Sequence, residues 1–205
     1  MQDHYFTIAK ASEGFYKEKG SKFLAFAYPV ASEDEIKDCL EGLRKQYYDA
    51  RHHCYGYIYG AHSEHYRAND DGEPGHSAGD PILGQIKSRN LTNTLVVVIR
   101  YFGGTKLGVS GLIHAYKTAA AEALDANEII SCDITRSMRF SFPYESMNTV
   151  MKLVKDLDLK ITHQGYEAEC SLEVAVIVSK VAQLEAKVDL LQKTGTALSL
   201  DVLEG

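Results

Sequence analysis

The chain has 205 residues, 45% of them hydrophobic and 24% charged, with a formal net charge of −6; this composition excludes a disordered or fibrous protein and allows one large or two modest domains. Residues 1–132 carry 14 Lys+Arg against 17 Asp+Glu and residues 133–205 carry 8 against 11, so neither part is a basic tail, and no bulk electrostatic grip on nucleic acid is announced, although a local patch remains open. The cysteines at 39, 54, 132 and 170 lack the spacing of a zinc ribbon or a disulfide framework, no segment approaches ~18 consecutive apolar residues, and the N-terminus lacks an export signal, so a cytoplasmic protein away from membranes is expected.

Residues 4–11 and 21–30 show the period-two, aromatic-rich pattern of strands and predict an N-terminal hairpin joined through Gly14 to Gly20. Ser32 followed by Glu33, Asp34 and Glu35 is an N-cap with an acidic first turn, and Ile36, Leu40 and Leu43 carry a helix to Tyr47. Residues 52–60 alternate as a strand, 62–79 form a polar glycine-bearing loop, Pro81 to Lys87 fit a short helix, and 93–101 form a hydrophobic strand. A helix then opens at Ser110 or Gly111 and ends near Asn127. Beyond a short linker at 131–135 the pattern changes to strand 136–143, helix 144–157, strands 159–165 and 168–178, helix 180–192 and strand 196–203, the β-α-β-β-α-β order of the split βαβ motif.

Three segments carry chemistry. In the first, a strand runs into Arg100, Gly103, Gly104, Lys106, Gly108 and Ser110 before the long helix, which is how a chain offers backbone N–H groups and cations to an anion. It matches neither a dinucleotide fingerprint nor a phosphate-loop pattern, and tight packing explains the glycines equally well. In the second, Asp70, Asp71 and Glu73 crowd an eleven-residue loop with Pro74 and three glycines. They can ligate Mg²⁺, orient a base, cap turns, or pair with Arg100 or Lys106. Within that loop, Gly75-His-Ser-Ala-Gly79 spells a nucleophile elbow, but the preceding Asp70 to Pro74 cannot be the buried strand an elbow needs. In the third, strand alternation puts His53, Tyr55, Tyr57 and Tyr59 on one face; such a row either stacks bases or packs beneath a helix. No His or Cys spacing supports a zinc site, and no cofactor is implied.

Ser21-Lys-Phe, Asp49-Ala-Arg-His-His-Cys54, Asp70-Asp-Gly-Glu-Pro74 with Ala78-Gly-Asp-Pro-Ile-Leu83, and Val98-Ile-Arg-Tyr-Phe-Gly-Gly-Thr-Lys-Leu-Gly108 together resemble the IMPACT family, most closely its bacterial YigZ-like branch. The resemblance implies an α+β protein of two domains: residues 1–132, an α/β sandwich like domain IV of elongation factor G, and residues 133–205, a ferredoxin-like βαββαβ domain. Eukaryotic members are known as translation regulators that restrain a stress kinase by competing for its activator. Carried over, this implies a translation-associated binding protein that contacts RNA, the ribosome or a ribosome-bound partner through Arg100, Gly103, Gly104, Lys106, Gly108, Ser110, Asp70, Asp71, Glu73, His53 and Tyr55, with no settled catalytic activity. The alternative is an enzyme acting on a phosphorylated or acyl small molecule in a cleft between Asp70 to Glu73 and Arg100. The chain departs from the family where Gly75-His76-Ser77 replaces serine-glycine-threonine, and where Ser110-Gly111 and His114 replace a glycine pair and an arginine.

Overall fold

The computed structural model describes residues 2–166 and 169–203. The chain divides into two compact units, Tyr5–Cys132, and Met1–His4 with Asp133–Gly205. The predicted start of a strand at 168 and the end of the C-terminal domain at 204–205 lie outside the described residues.

The larger unit is a five-stranded antiparallel sheet whose strands are β2 (Ser12–Glu18), β3 (Ser21–Pro29), β4 (His52–Tyr59), β5 (His65–Asn69) and β6 (Thr94–Tyr101), in the order β2-β3-β6-β4-β5. β6 lies at the centre and is buried from Thr94 to Arg100, as its run of β-branched residues requires. One face is covered by α2 (Gly79–Ser88) and α3 (Gly108–Asp125), where Phe23, Ala25, Cys54, Val96 and Val98 meet Ile82, Ile86, Leu112 and Tyr116. The other face packs Phe26, Tyr55, Leu95, Val97 and Ile99 against Ile36, Leu40 and Leu43 of α1 (Glu33–Gln46). α1 starts as its sequence dictates: the Ser32 hydroxyl accepts from the Glu35 N–H at 3.3 Å, and the Glu35 carboxylate accepts from the Ala31 N–H at 2.7 Å.

The first hairpin differs from expectation. β1 (His4–Ile8) pairs not with residues 21–30 but with β7 (Ile129–Asp133), which overlaps the predicted linker at 131–133. β3 pairs instead with β2, which lies in the predicted connection, and with β6. Lys19 and Gly20 close this hairpin with φ of 45° and 83°, the two-residue turn that suits the twist of antiparallel strands. β2 was hidden because it is an edge strand; Gly14 takes the place where an apolar residue would mark the inward face. A Cβ on Gly14 would lie 2.3 Å from the Ala123 nitrogen of α3, so the missing side chain is what lets helix and strand meet. β5, inside the expected polar loop, is another edge strand, held by backbone pairing while His65, Tyr66 and Arg67 remain exposed. α3 begins at Gly108, ahead of the predicted Ser110 or Gly111.

The smaller unit is built from β8 (Thr135–Phe142), α4 (Met147–Asp156), β9 (Lys160–Tyr166), β10 (Cys170–Ile177), α5 (Val181–Lys193) and β11 (Ser199–Val202). The βαββαβ order folds into an antiparallel sheet ordered β11-β8-β10-β9, with Phe140, Phe142, Val174 and Val176 packed on Val150, Leu153, Leu184 and Val188. Among the described residues no helix is long and apolar enough to cross a membrane.

Replacing Gly14 with alanine drives a methyl into the α3 backbone and is expected to lower stability by about 1–3 kcal/mol. Urea unfolding of the variant, with circular dichroism confirming an unchanged fold, measures it.

Candidate functional site

Arg100 ends the buried run of β6 with its side chain on the α2–α3 face. Its position opposite Phe23 of β3 and His52 of β4 is fixed by the ladder register. The guanidinium lies 5.6 Å from the centres of both the Phe23 and Phe102 rings and donates to Glu73 Oε1 at 2.6 Å. The two side chains are only 7% and 4% exposed. Tyr116 of α3 donates its hydroxyl to the same carboxylate oxygen at 2.7 Å. Burial pushes the Tyr116 phenol and the neighbouring Cys54 thiol far above their ordinary values, so both stay protonated and Tyr116 remains a donor. Arg100 Nε is buried without a partner.

The neighbouring carboxylates are engaged by backbone. Asp70 Oδ1 accepts from Ala78 and Gly79 N–H at 2.9 and 2.8 Å, and Oδ2 from His76 N–H at 2.9 Å, which caps α2 from a distance where the adjacent Ala78 cannot. Burial alone would raise the Asp70 carboxyl; the three backbone donors outweigh it and hold it below its ordinary value of 3.8. Asp71 Oδ2 accepts from His53 N–H at 2.7 Å, and its backbone carbonyl lies 2.8 Å from His52 Nδ1. Arg44 of α1 approaches its other oxygen at 3.8 Å. Asp71 and Gly72 have φ of 41° and 86°, the left-handed pair that turns the loop so that Glu73 points back beneath Arg100.

Two of the three sequence segments therefore converge, and they close on each other. Glu73 and Arg100 are in contact and do not frame the cleft that the enzyme alternative needs. Ser77 is fully buried and donates to the Pro74 carbonyl at 2.6 Å, so the nucleophile-elbow spelling is a turn. The third segment is tied to the loop through the His53 N–H, the His52 ring and the Cys54 thiol, but its side chains read as a stacking row lie elsewhere. His53 and Tyr55 face α1, on the opposite side of the sheet; Tyr55, at 7% exposure, offers no ring face to a base, and burial lowers the His53 imidazole and favours its neutral form.

The glycine turn divides in two. Gly103 is architectural: its N–H donates to Ser21 Oγ at 3.1 Å, and a Cβ there would fall onto the Gly20–Ser21 backbone. Gly104 and Gly108 have φ of 90° and 72° with open space around them. The turn is presented: Phe102 is 58% exposed, and Lys106, Gly108 and Ser110 are exposed too. No side chain caps α3 and no acidic residue lies in its first turn, which leaves its N–H groups and dipole facing outward. The sequence around this turn carries a further signal, a long stretch without carboxylates. Residues 81–121 contain no Asp or Glu, but include Lys87, Arg89, Arg100, Lys106 and Lys117, in a chain of net charge −6. Arg89 is paired with Asp125 at 2.6 Å and Arg100 with Glu73; Lys106 and Lys117 are exposed, and neither makes an ion pair among the described residues.

Fold and site together define an α+β protein whose larger unit ties loop 70–79, strand β6 and helix α3 to one buried ion pair. The Impact N-terminal domain family matches residues 19–124, a span that holds Glu73, Arg100 and Tyr116. IMPACT family member YvyE of Bacillus subtilis is 32% identical over 176 residues, 86% of this chain and 81% of that protein, and IMPACT family member YigZ of Escherichia coli is 32% identical over 171 residues, 82% of this chain and 84% of that one. A crystal structure described as a hypothetical protein aligns over 100% of this chain and 99% of its own, with a TM-score of 0.73 at 29% identity. The chain belongs to the IMPACT family.

Glu73→Ala leaves Arg100 buried without its counter-charge and is expected to cost about 3–5 kcal/mol. Arg100→Ala should cost a similar amount, and the double variant less than the sum, as a double-mutant cycle in urea will read. Asp70 gives a pH signature: because its folded carboxyl titrates below its unfolded value, its stabilisation is complete above pH 3.8 and is lost as pH falls through the folded value. Asp70→Asn should thus be less stable than the parent at pH 7, with the gap shrinking as acid is added; a gap constant from pH 7 to below pH 3 would refute the cap.

Proposed function

We propose that this protein is a non-catalytic binding protein of the translation apparatus that grips RNA through the turn 102–108 and the first turns of α3. The observation that carries the reading is the division of labour in the site. Glu73, Arg100 and Asp70 are consumed in internal bonds, whereas Phe102, Lys106, Ser110 and Lys117 lie exposed on a stretch free of carboxylates. Cations, free helix N–H groups and one exposed aromatic ring suit a phosphodiester chain with an unstacked base. Phe102 is braced from one side by Arg100, which leaves the rest of its ring for stacking. The family membership, and the translation role that the resemblance implies for eukaryotic members, point to ribosomal or ribosome-bound RNA as the setting.

The test is fluorescence anisotropy with a single-stranded RNA oligonucleotide across a salt series, alongside co-sedimentation with ribosomes at low salt. Lys106→Glu and Lys117→Glu should each weaken binding and reduce the log–log salt slope by about 1, and Phe102→Ala should weaken binding by ~1–3 kcal/mol with the slope unchanged. Binding that ignores all three variants, or no RNA or ribosome binding at 50 mM salt, would sink the proposal.

A further inference from the structure

Lys17 of β2 stands directly opposite Lys22 of β3, and Lys22 opposite Tyr101 of β6. Opposed residues share a face, and Tyr101 packs against the cluster beneath α1, so both lysines project on the α1 side of the sheet. α1 leaves them uncovered. Both are exposed, as is Phe15 at 54%, which lies two residues before Lys17 on the same face and opposite Leu24. Neither lysine makes an ion pair among the described residues. The carboxylates of this region are turned elsewhere. Asp49 accepts from the Tyr101 hydroxyl at 2.7 Å, and Glu18, on the other face, accepts from the Tyr16 hydroxyl at 2.9 Å. Glu13 is four residues from Lys17, opposite Phe26. Like charges directly opposite each other in a ladder work against folding, so the Lys17–Lys22 pair does not serve the architecture, and an anion lying between them would relieve it.

The strip is continuous with the turn 102–108. Lys22 pairs with Tyr101, one residue before Phe102, and Gly103 rests on the Gly20–Ser21 backbone of the hairpin turn, where Lys19 is exposed. The end of the hairpin thus joins two surfaces, each with cations and one exposed ring: Phe102 with Lys106, and Phe15 with Lys17 and Lys22. We propose that the RNA strand held at turn 102–108 continues over the hairpin end onto the α1 side, where its phosphates meet Lys19, Lys22 and Lys17 and a base stacks on Phe15. This second contact rests on the RNA reading above. From Phe15 to Lys19 is ~14 Å at strand spacing, enough to lengthen the bound stretch by a few nucleotides. The ring beside the cations favours bases over an acidic peptide, which would supply charge but nothing flat to stack on Phe15.

The probe is a fluorescein-labelled single-stranded oligouridylate of about twelve nucleotides, titrated with the full chain across a salt series. Lys17→Gln and Lys22→Gln should each reduce the log–log salt slope by about 1. Phe15→Ala should weaken binding roughly five- to a hundredfold with the slope unchanged. Lys17→Glu separates recognition from folding: it sets opposite charges across the ladder, so the thermal midpoint should hold or rise while RNA affinity falls. Lys17→Gln combined with Lys106→Gln should lower the slope by about 2 at one strand per chain, as a single RNA touching both surfaces requires. If Lys106→Gln weakens binding but the Lys17, Lys22 and Phe15 variants do not, the strand ends at the turn, and the second contact is refuted while the RNA reading stands. If the parent chain binds no RNA, both fall. Two strands bound per chain, or competition by a poly-glutamate peptide as effective as by unlabelled RNA, would also overturn the second contact.

Discussion

The larger unit depends on one buried charge pair. A guanidinium at the end of a central strand is costly to take out of water, and Arg100 is held there only because Glu73 meets it at 2.6 Å with Tyr116 donating to the same oxygen. The requirement propagates outward. Glu73 must be delivered from a loop, so that loop is bent by Asp71 and Gly72 at positive φ and anchored by Asp70 on the first N–H groups of α2. Tyr116 must be delivered from α3, so α3 must lie close to the sheet. The segments richest in polar motifs are thus the ones most fully spent on architecture.

This explains why function was hard to read from the motifs. Carboxylates, glycines and an arginine at close spacing are the vocabulary of catalysis and anion binding, and of turns and buried ion pairs too. Only partners distinguish the uses: Asp70 with three backbone donors is a cap, and Ser77 donating to a carbonyl beneath the surface is no nucleophile. The Tyr55 row was ambiguous in the same way, since alternation shows which residues share a face but not what covers that face. α1 covers it.

The fold was more legible, with limits set by where burial speaks. β6, α1 and the βαββαβ order of 135–202 announce themselves through long apolar periodicities that match buried faces. β2, β5 and β7 did not. Their ladders rest on backbone pairing, which leaves no mark on side-chain pattern, and Gly14 stands in β2 because α3 passes within contact of its backbone. The absence of Asp and Glu from 81–121 is equally legible, but as a missing residue type it forms no motif.

The contact of Gly103 with Gly20 and Ser21 has a mechanical consequence. With no side chain between them, the turn after β6 rests directly on the turn that joins β2 to β3, and the Gly103 N–H is fastened to Ser21 Oγ. A segment so seated cannot swing as a separate flap; displacing it means displacing the hairpin with it. Phe102, next to that seat, is held near one arrangement, so under the proposed RNA contact its docking would surrender correspondingly little backbone freedom.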